Sequence, residues 1–286
     1  MSAPALPGSS SGWRQTAALV LAAIILAWTL APIYNLVLVA LQSSDAVFST
    51  NLWPNPPTFE GFMAVFTQDY WYLQDFWLQM LNSLIVGIAT ALLVVGIASL
   101  ASFAITRLKV RLGWLLSNAA LLTYVIPISF LAIPFYSIMH HYGLLDNLWS
   151  LILVEVTFAT PYAIFIFQQY SASIPRELDE SAKMDGATTV QIFLRVYLPL
   201  MVPALVAVGT YALLLAWNEY LYAFLLLSSE SKVTVPVALG YFLGSDDPRW
   251  NLMMAAAIVY SIPPLVIYYL FRGRMTTGLT IGSVKG

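Results

Sequence analysis

A chain can do chemistry only where nucleophiles, acid–base pairs or ligand clusters converge, and this 286-residue sequence carries few residues of those types. It has no cysteine, hence no thiolate nucleophile, disulfide framework or cysteine metal site. Its two histidines, His140 and His141, are adjacent, and neighbours in sequence do not face one another on a helix. They read as a water-exposed pair at a loop edge. No GxxxxGK[ST] loop is present, so the chain has no phosphate cradle of its own. The acidic groups inside long apolar stretches are Glu155 and Glu219, the latter within Trp217-Asn218-Glu219-Tyr220-Leu221-Tyr222. An acid at mid-bilayer costs about 2.5–3.5 kcal/mol, so each of these needs a reason. One reading is that Glu155, Trp217, Asn218, Glu219, Tyr220 and Tyr222 line a solute path, with carboxylates and amides meeting hydroxyls and aromatic faces covering C–H surface. The other is that they bond to a neighbouring helix or stiffen a contact between subunits.

The elements that must position these residues are membrane helices. Sixty per cent of the residues are hydrophobic and nine per cent charged, against about 25% charged in soluble domains. The net charge of −2 comes with no basic patch suited to nucleic acid. After a polar start at 1–12, read as disordered, six apolar stretches reach bilayer-crossing length: 15–41, 81–106, 115–139, 148–170, 200–227 and 252–271. The first exceeds the core of a signal peptide and is expected to remain as a span. Arg14, Arg107, Lys109, Arg111, Arg176, Lys183, Arg195, Arg272, Arg274 and Lys285 fall on one side of these spans, and only Lys232 and Arg249 on the other. Positive residues mark the cytoplasm, so both termini are expected there. Segment 42–80 lies outside, lacks Lys and Arg, and is rich in aromatics such as Trp53, Tyr70, Trp71, Tyr72 and Trp77. It reads as one or two helices lying flat at the interface. In the second span, Gly87 with Ala91 and Ala98 with Ser102 mark a seam for close approach of another helix, from this chain or from a partner subunit. In the third, Pro127 and Pro134 remove backbone hydrogen bonds, which a membrane tolerates only beside protein or a wet cavity.

One polar island stands between the fourth and fifth spans, at 174–199. Pro175 suits a first helical turn, Glu177, Asp179 and Glu180 suit a positive helix start, and Gly186 can end the helix in a left-handed conformation. Thr188 and Gln191 have the spacing of a capping box, so a second short helix is expected up to Pro199. Ser181, Ala182, Gly186 and Ala187 are small where a larger side chain would hold a partner away.

Glu180-Ser181-Ala182-Lys183-Met184-Asp185-Gly186-Ala187, followed by Phe193 and Leu198-Pro199, resembles the EAA loop of importer permeases of the ATP-binding cassette class, with Ser181 in place of the first Ala. The ending Gly278-Leu279-Thr280-Ile281-Gly282-Ser283-Val284-Lys285-Gly286 is similar to the tail of the maltose-type subfamily. The resemblance implies an all-α integral membrane fold of six transmembrane helices, the type I importer domain, with cytoplasmic coupling helices in the bacterial inner membrane. Segments 1–14, 15–41 and 42–80 would precede a permease core at 81–272, and 273–286 would be a cytoplasmic tail.

The implied function is ATP-driven, binding-protein-dependent sugar import. Glu180, Ser181, Ala182, Asp185, Gly186 and Ala187 would dock on an ATPase dimer that uses ATP and Mg, and this chain itself would hold no cofactor. Gly278, Leu279, Thr280, Gly282 and Lys285 would reach along the ATPase as an extended strip. A second, homologous permease and an extracytoplasmic solute-binding protein would complete the assembly, the latter received on 42–80 and the 228–251 loop. Trp-Asn-Glu is usual in sugar permeases of this kind, so it does not identify the sugar. The rivals are an ion-coupled secondary transporter, which calls for ion-binding acids and an inverted repeat, and a membrane enzyme, which calls for a catalytic constellation.

Overall fold

The structure, a computed structural model, describes residues 12–246 and 248–280, and among them every regular element is helical. The chain divides into two compact units, Met1–Asp69 with Asp246–Val259, and Tyr70–Ser245 with Tyr260–Gly286.

In the first unit, α1 (Gly12–Ala40) is apolar on every face and buries only Val39 and Ala40. Segment 42–69 that follows is mostly irregular, with a 3-10 turn at Ser44–Ala46 and one helix, α2 (Glu60–Thr67). Arg249 holds this segment: its guanidinium lies 3.9 Å from the Glu60 carboxylate and donates to Ser44 Oγ at 3.2 Å.

The second unit is built on α3 (Phe76–Thr106), which starts five residues before the apolar stretch that announced it. Next come α4 (Gly113–Leu122), α5 (Ala132–His141) and α6 (Leu148–Ala172). The polar island supplies α7 (Glu177–Met184), α8 (Thr189–Ile192), a π-helical turn at Phe193–Tyr197 and α9 (Leu198–Leu200). Then follow α10 (Val202–Trp217), α11 (Leu221–Leu226) and α12 (Val235–Leu243). The last helix, α13 (Trp250–Thr280), starts in the first unit and ends in the second.

Helices α3, α6 and α10 pack on one another around Val86, Val94, Ala98, Ala159, Ala163, Val208 and Ala212. Small residues let these backbones come together, which in a membrane replaces a hydrophobic drive as the source of packing. The seam at Gly87, Ala98 and Ser102 is therefore satisfied within this chain: Gly87 faces Leu213 and Trp217, and Ser102 meets Tyr197.

Among the described residues, four helices are long and apolar enough to cross a membrane: Gly12–Ala40, Trp71–Thr106, Leu148–Ala172 and Trp250–Gly273. Two bent pairs bring the number to six when each is counted as one span. The stretch at 115–139 is one of them, bent by 96° where Pro127 interrupts it. The other pairs Thr189–Leu200 with Val202–Trp217 at 78°. Two expectations need correction. The apolar stretch at 200–227 is not one helix, because α10 stops at Trp217: Asn218 turns its Nδ2 back onto the Leu214 carbonyl at 2.7 Å, and the Glu219 carboxylate accepts the Tyr222 N–H at 2.7 Å, starting a new helix. The tail strip, expected to be extended from Gly278, is still helical through Thr280, since a single glycine lowers helix propensity without ending a helix already under way.

Candidate functional site

The polar island folds as its local signals require. Gly186 has φ +81°. The Ala187 N–H reaches the Ala182 carbonyl at 2.9 Å and the Gly186 N–H reaches Lys183 at 3.0 Å, closing α7 with a six-to-one bond. Nothing lies within 4 Å of where a Gly186 side chain would start, so the position needs glycine for its backbone conformation and not for space. The capping box is complete, with Thr188 Oγ1 accepting the Gln191 N–H at 3.3 Å and Gln191 Oε1 accepting the Thr188 N–H at 2.7 Å. The π-turn before Pro199 widens the helix where the proline ring would meet the carbonyl four residues back.

Within the island Glu180, Ser181, Asp185 and Gly186 are exposed, while Ala182 and Ala187 are half-buried against the core. The exposed face is not wholly polar. Leu178, Val190 and Leu194 are uncovered, and Met184 is 88% exposed.

The island is tied to the spans by a charge that motif reasoning passed over. Arg107, at the end of α3, pairs with Asp179 of α7 at 3.3 Å, and their side chains are only 4% and 11% exposed. Its Nη2 also donates to the carbonyls of Ser171 and Ile174 at 3.2 and 3.0 Å, closing the end of α6. The guanidinium lies 5.8 Å from the Tyr197 ring centre, and Tyr197 and Phe193 pack edge-on to Phe103 at 5.0 and 5.2 Å. Arg107 was legible only as one of ten positive residues on one side, and Asp179 only as an acid at a helix start. Their 72-residue separation (179 − 107) hides the pairing.

At the opposite end of α6, Asp146 stands at φ 54° and binds the segment after α11. Its carboxylate accepts the Ser228 and Ser229 N–H groups at 3.0 and 2.9 Å, the Ser229 hydroxyl at 2.5 Å and the Lys232 ammonium at 3.1 Å. The Ser229 hydroxyl and N–H, with Ser228 and Lys232, hold this carboxyl well below its ordinary value.

The six candidate solute residues separate into two groups. Asn218 and Tyr220 are exposed and Glu219 is half-buried, all in the break between α10 and α11. Glu155 is 1% exposed, with Oε1 lacking a partner. Trp217 stacks on Tyr260 at 4.7 Å and accepts that tyrosine's hydroxyl on its carbonyl. Tyr222 is fully buried, its hydroxyl donating to the Ile128 carbonyl at 2.7 Å beside the Pro127 break and its ring lying near Phe135 and Phe158. Both rings fill and bond breaks in the spans. Of the tail residues, Gly278, Leu279 and Thr280 lie on α13, and Gly282 and Lys285 fall outside the described residues.

Residues 95–279 match the family described as binding-protein-dependent transport system inner membrane component. The trehalose transport system permease protein SugB of Mycobacterium tuberculosis is 34% identical to this chain over 96% of it and 98% of the relative. The inner membrane ABC transporter permease protein YcjP of Escherichia coli is 32% identical over 92% and 94%. The diacetylchitobiose uptake system permease protein DasC of Streptomyces coelicolor is 31% identical over 89% and 91%. A chain from the crystal structure of a bacterial ABC transporter involved in the import of the acidic polysaccharide alginate shares the fold with a TM-score of 0.75 at 24% identity, covering 94% of this chain and 99% of that one. With its membrane helices, its EAA-like island and these relatives, this multi-pass membrane chain belongs to the binding-protein-dependent transport system inner membrane component family, whose members are transport permeases and not enzymes.

Proposed function

We propose that this chain is one of two permease subunits in an ATP-driven carbohydrate importer, and that the island at 174–199 is the handle an ATPase dimer turns. The observation that carries this is the face of α7 and α8. A water-facing loop that exposes Met184, Leu178, Val190 and Leu194 around small Ser181 and a bare Gly186 is built to be covered by a protein surface. The sequence has no GxxxxGK[ST] phosphate cradle, which supports a reading in which a partner ATPase uses the ATP and Mg. The island and both termini lie on the cytoplasmic side of the inner membrane, by the ten-to-two distribution of Lys and Arg. Gly278, Leu279, Thr280, Gly282 and Lys285 of the tail would add a second ATPase contact. A solute-binding protein delivers the sugar from the other side.

Relatives that act on trehalose, diacetylchitobiose and arabinooligosaccharides support a carbohydrate as substrate. Asn218, Glu219 and Tyr220 are the residues placed to touch it, since the break between α10 and α11 leaves them accessible. ATP-driven closure of the ATPases favours one arrangement of the coupling helices, and the packed spans follow between inward-open and outward-open states.

The test is sugar uptake by the assembled importer in proteoliposomes, read together with ATP hydrolysis. Ala182→Trp and Gly186→Val are expected to insert and assemble but to lose uptake per ATP hydrolysed. Unchanged uptake in both variants refutes the handle. Uptake that survives without ATP and follows a proton or sodium gradient favours a secondary transporter.

A further inference from the structure

We infer that Arg107 is the positioning residue that locks the coupling helix α7 to the transmembrane core, so that α7, the ends of α3 and α6 and the π-turn move as one body. The inference rests on the reading of the island as an ATPase handle. A handle transmits motion only if it cannot slip, and small exposed helices such as α7, eight residues long, have little stability of their own.

Arg107 supplies what α7 lacks. One guanidinium reaches three elements: Asp179 on α7 at 3.3 Å, the Ser171 and Ile174 carbonyls at the end of α6 at 3.2 and 3.0 Å, and the face of Tyr197 in the π-turn at 5.8 Å. The lock is reinforced from both sides. Arg176, just before α7, donates back to the Thr106 carbonyl of α3 at 3.3 Å, and the Tyr197 hydroxyl bonds Ser102, about one turn earlier on α3, at 3.1 Å.

The chemistry suits a lock more than a glue. Apolar side chains of the same volume would hold the elements together about as well, because desolvating two charges offsets most of their attraction. They would also let the helices slide. A planar guanidinium with several directed bonds fixes rotation and translation together. Arg107 and Asp179 are buried between α3, α6, α7 and the π-turn, so their role is positional.

The first experiment leaves Arg107 in place. This chain has no cysteine, so with cysteine-free partner subunits Glu177→Cys on α7, outside the docking residues, and Leu100→Cys on α3 give a doubly spin-labelled importer with no background. The expected result is one narrow label distance that stays the same with ATP, without nucleotide and with the loaded binding protein. A distance that changes with nucleotide shows that α7 slides on α3 and overturns the inference.

The second replaces the pair by apolar residues, Arg107→Met with Asp179→Leu. The double variant is expected to assemble with its ATPase and to hydrolyse ATP, with sugar moved per ATP down about tenfold, the size of effect for residues that modulate coupling without touching ligand, and with a broadened label distance. Arg107→Lys keeps the charge but not the fork and is expected to fall between. A wild-type ratio of uptake to hydrolysis in the double variant overturns the lock, as does failure of that variant to assemble, which would make the pair a folding element. Ala182→Trp and Gly186→Val run in parallel separate the two failures. If they lose coupling and the double variant does not, only the lock is wrong; if they too retain coupling, the handle itself is wrong.

Discussion

The two ends of α6, about 37 Å apart along the helix, are each tied to a neighbouring loop by an acid–base pair, and the pairs behave differently. At the island end, Arg107 and Asp179 are almost dry, and the guanidinium has bonds to carbonyls as well as to the carboxylate. At the other end, Asp146 and Lys232 keep 25% and 49% of their side-chain surface in water, and the carboxylate is held chiefly by two serines and their backbone N–H groups. An exposed ion pair contributes about 0–1 kcal/mol, whereas removing one partner of a buried pair costs about 3–5 kcal/mol because the other is left charged and unpaired. The segment after α11 is pinned by hydrogen bonds with a charge added. The island is pinned by a charge that cannot be removed alone.

The largest effect expected from this contrast is Arg107→Met by itself, which strands Asp179 in a dry site and should destabilise the protein by about 3–5 kcal/mol in thermal or denaturant unfolding in detergent. Lys232→Met at the other end should cost about 1 kcal/mol or less. Equal losses at the two ends would erase the distinction.

Asp146 should give an intermediate effect with its own pH dependence. Asp146→Ala leaves the Ser228 and Ser229 N–H groups without their acceptor and is expected to cost about 1–2 kcal/mol near neutral pH, after allowance for solvent screening. The folded carboxyl sits below its unfolded value of 3.8, so its contribution is fully present above that value and is lost as the pH falls toward the lower folded value. Measured against Asp146→Ala, the wild-type advantage should stay constant from pH 7 to 5 and shrink only below about 4.

The smallest stability effects should come from two glycines with left-handed backbones and open space at the β-carbon, Gly143 after α5 and Gly186 after α7. Alanine at either should cost about 1 kcal/mol for the strained conformation. The difference should appear in transport: Gly186→Ala lowers uptake per ATP, and Gly143→Ala does not.

Much of the island was legible because its rules are local. A capping box needs residues three apart, and a left-handed helix stop needs one glycine, so Thr188, Gln191 and Gly186 announced themselves. The spans were legible from hydropathy, but their breaks were less so. Pro127 marked one, while Asn218 and Glu219, which end one helix and begin the next, did not announce that second role. Hydropathy averages over such a break, since Tyr220, Leu221 and Tyr222 continue the apolar run. The partition of Glu155, Trp217 and Tyr222 to the interior and of Asn218 and Tyr220 to the surface was not legible at all, because it is set by partners far off in sequence, such as Ile128 for Tyr222 and Tyr260 for Trp217.

By itself the sequence determined what short-range physics determines: which stretches are apolar enough to leave water, on which side the positive charges remain, and where two small helices start and stop. Only the tertiary structure decided which charge holds the island to the spans and which aromatic rings are packing instead of surface. Those outcomes depend on contacts between residues tens of positions apart, and chain separation carries no record of them until α3, α6 and α10 pack and bring the ends of α3 and α6 beside α7.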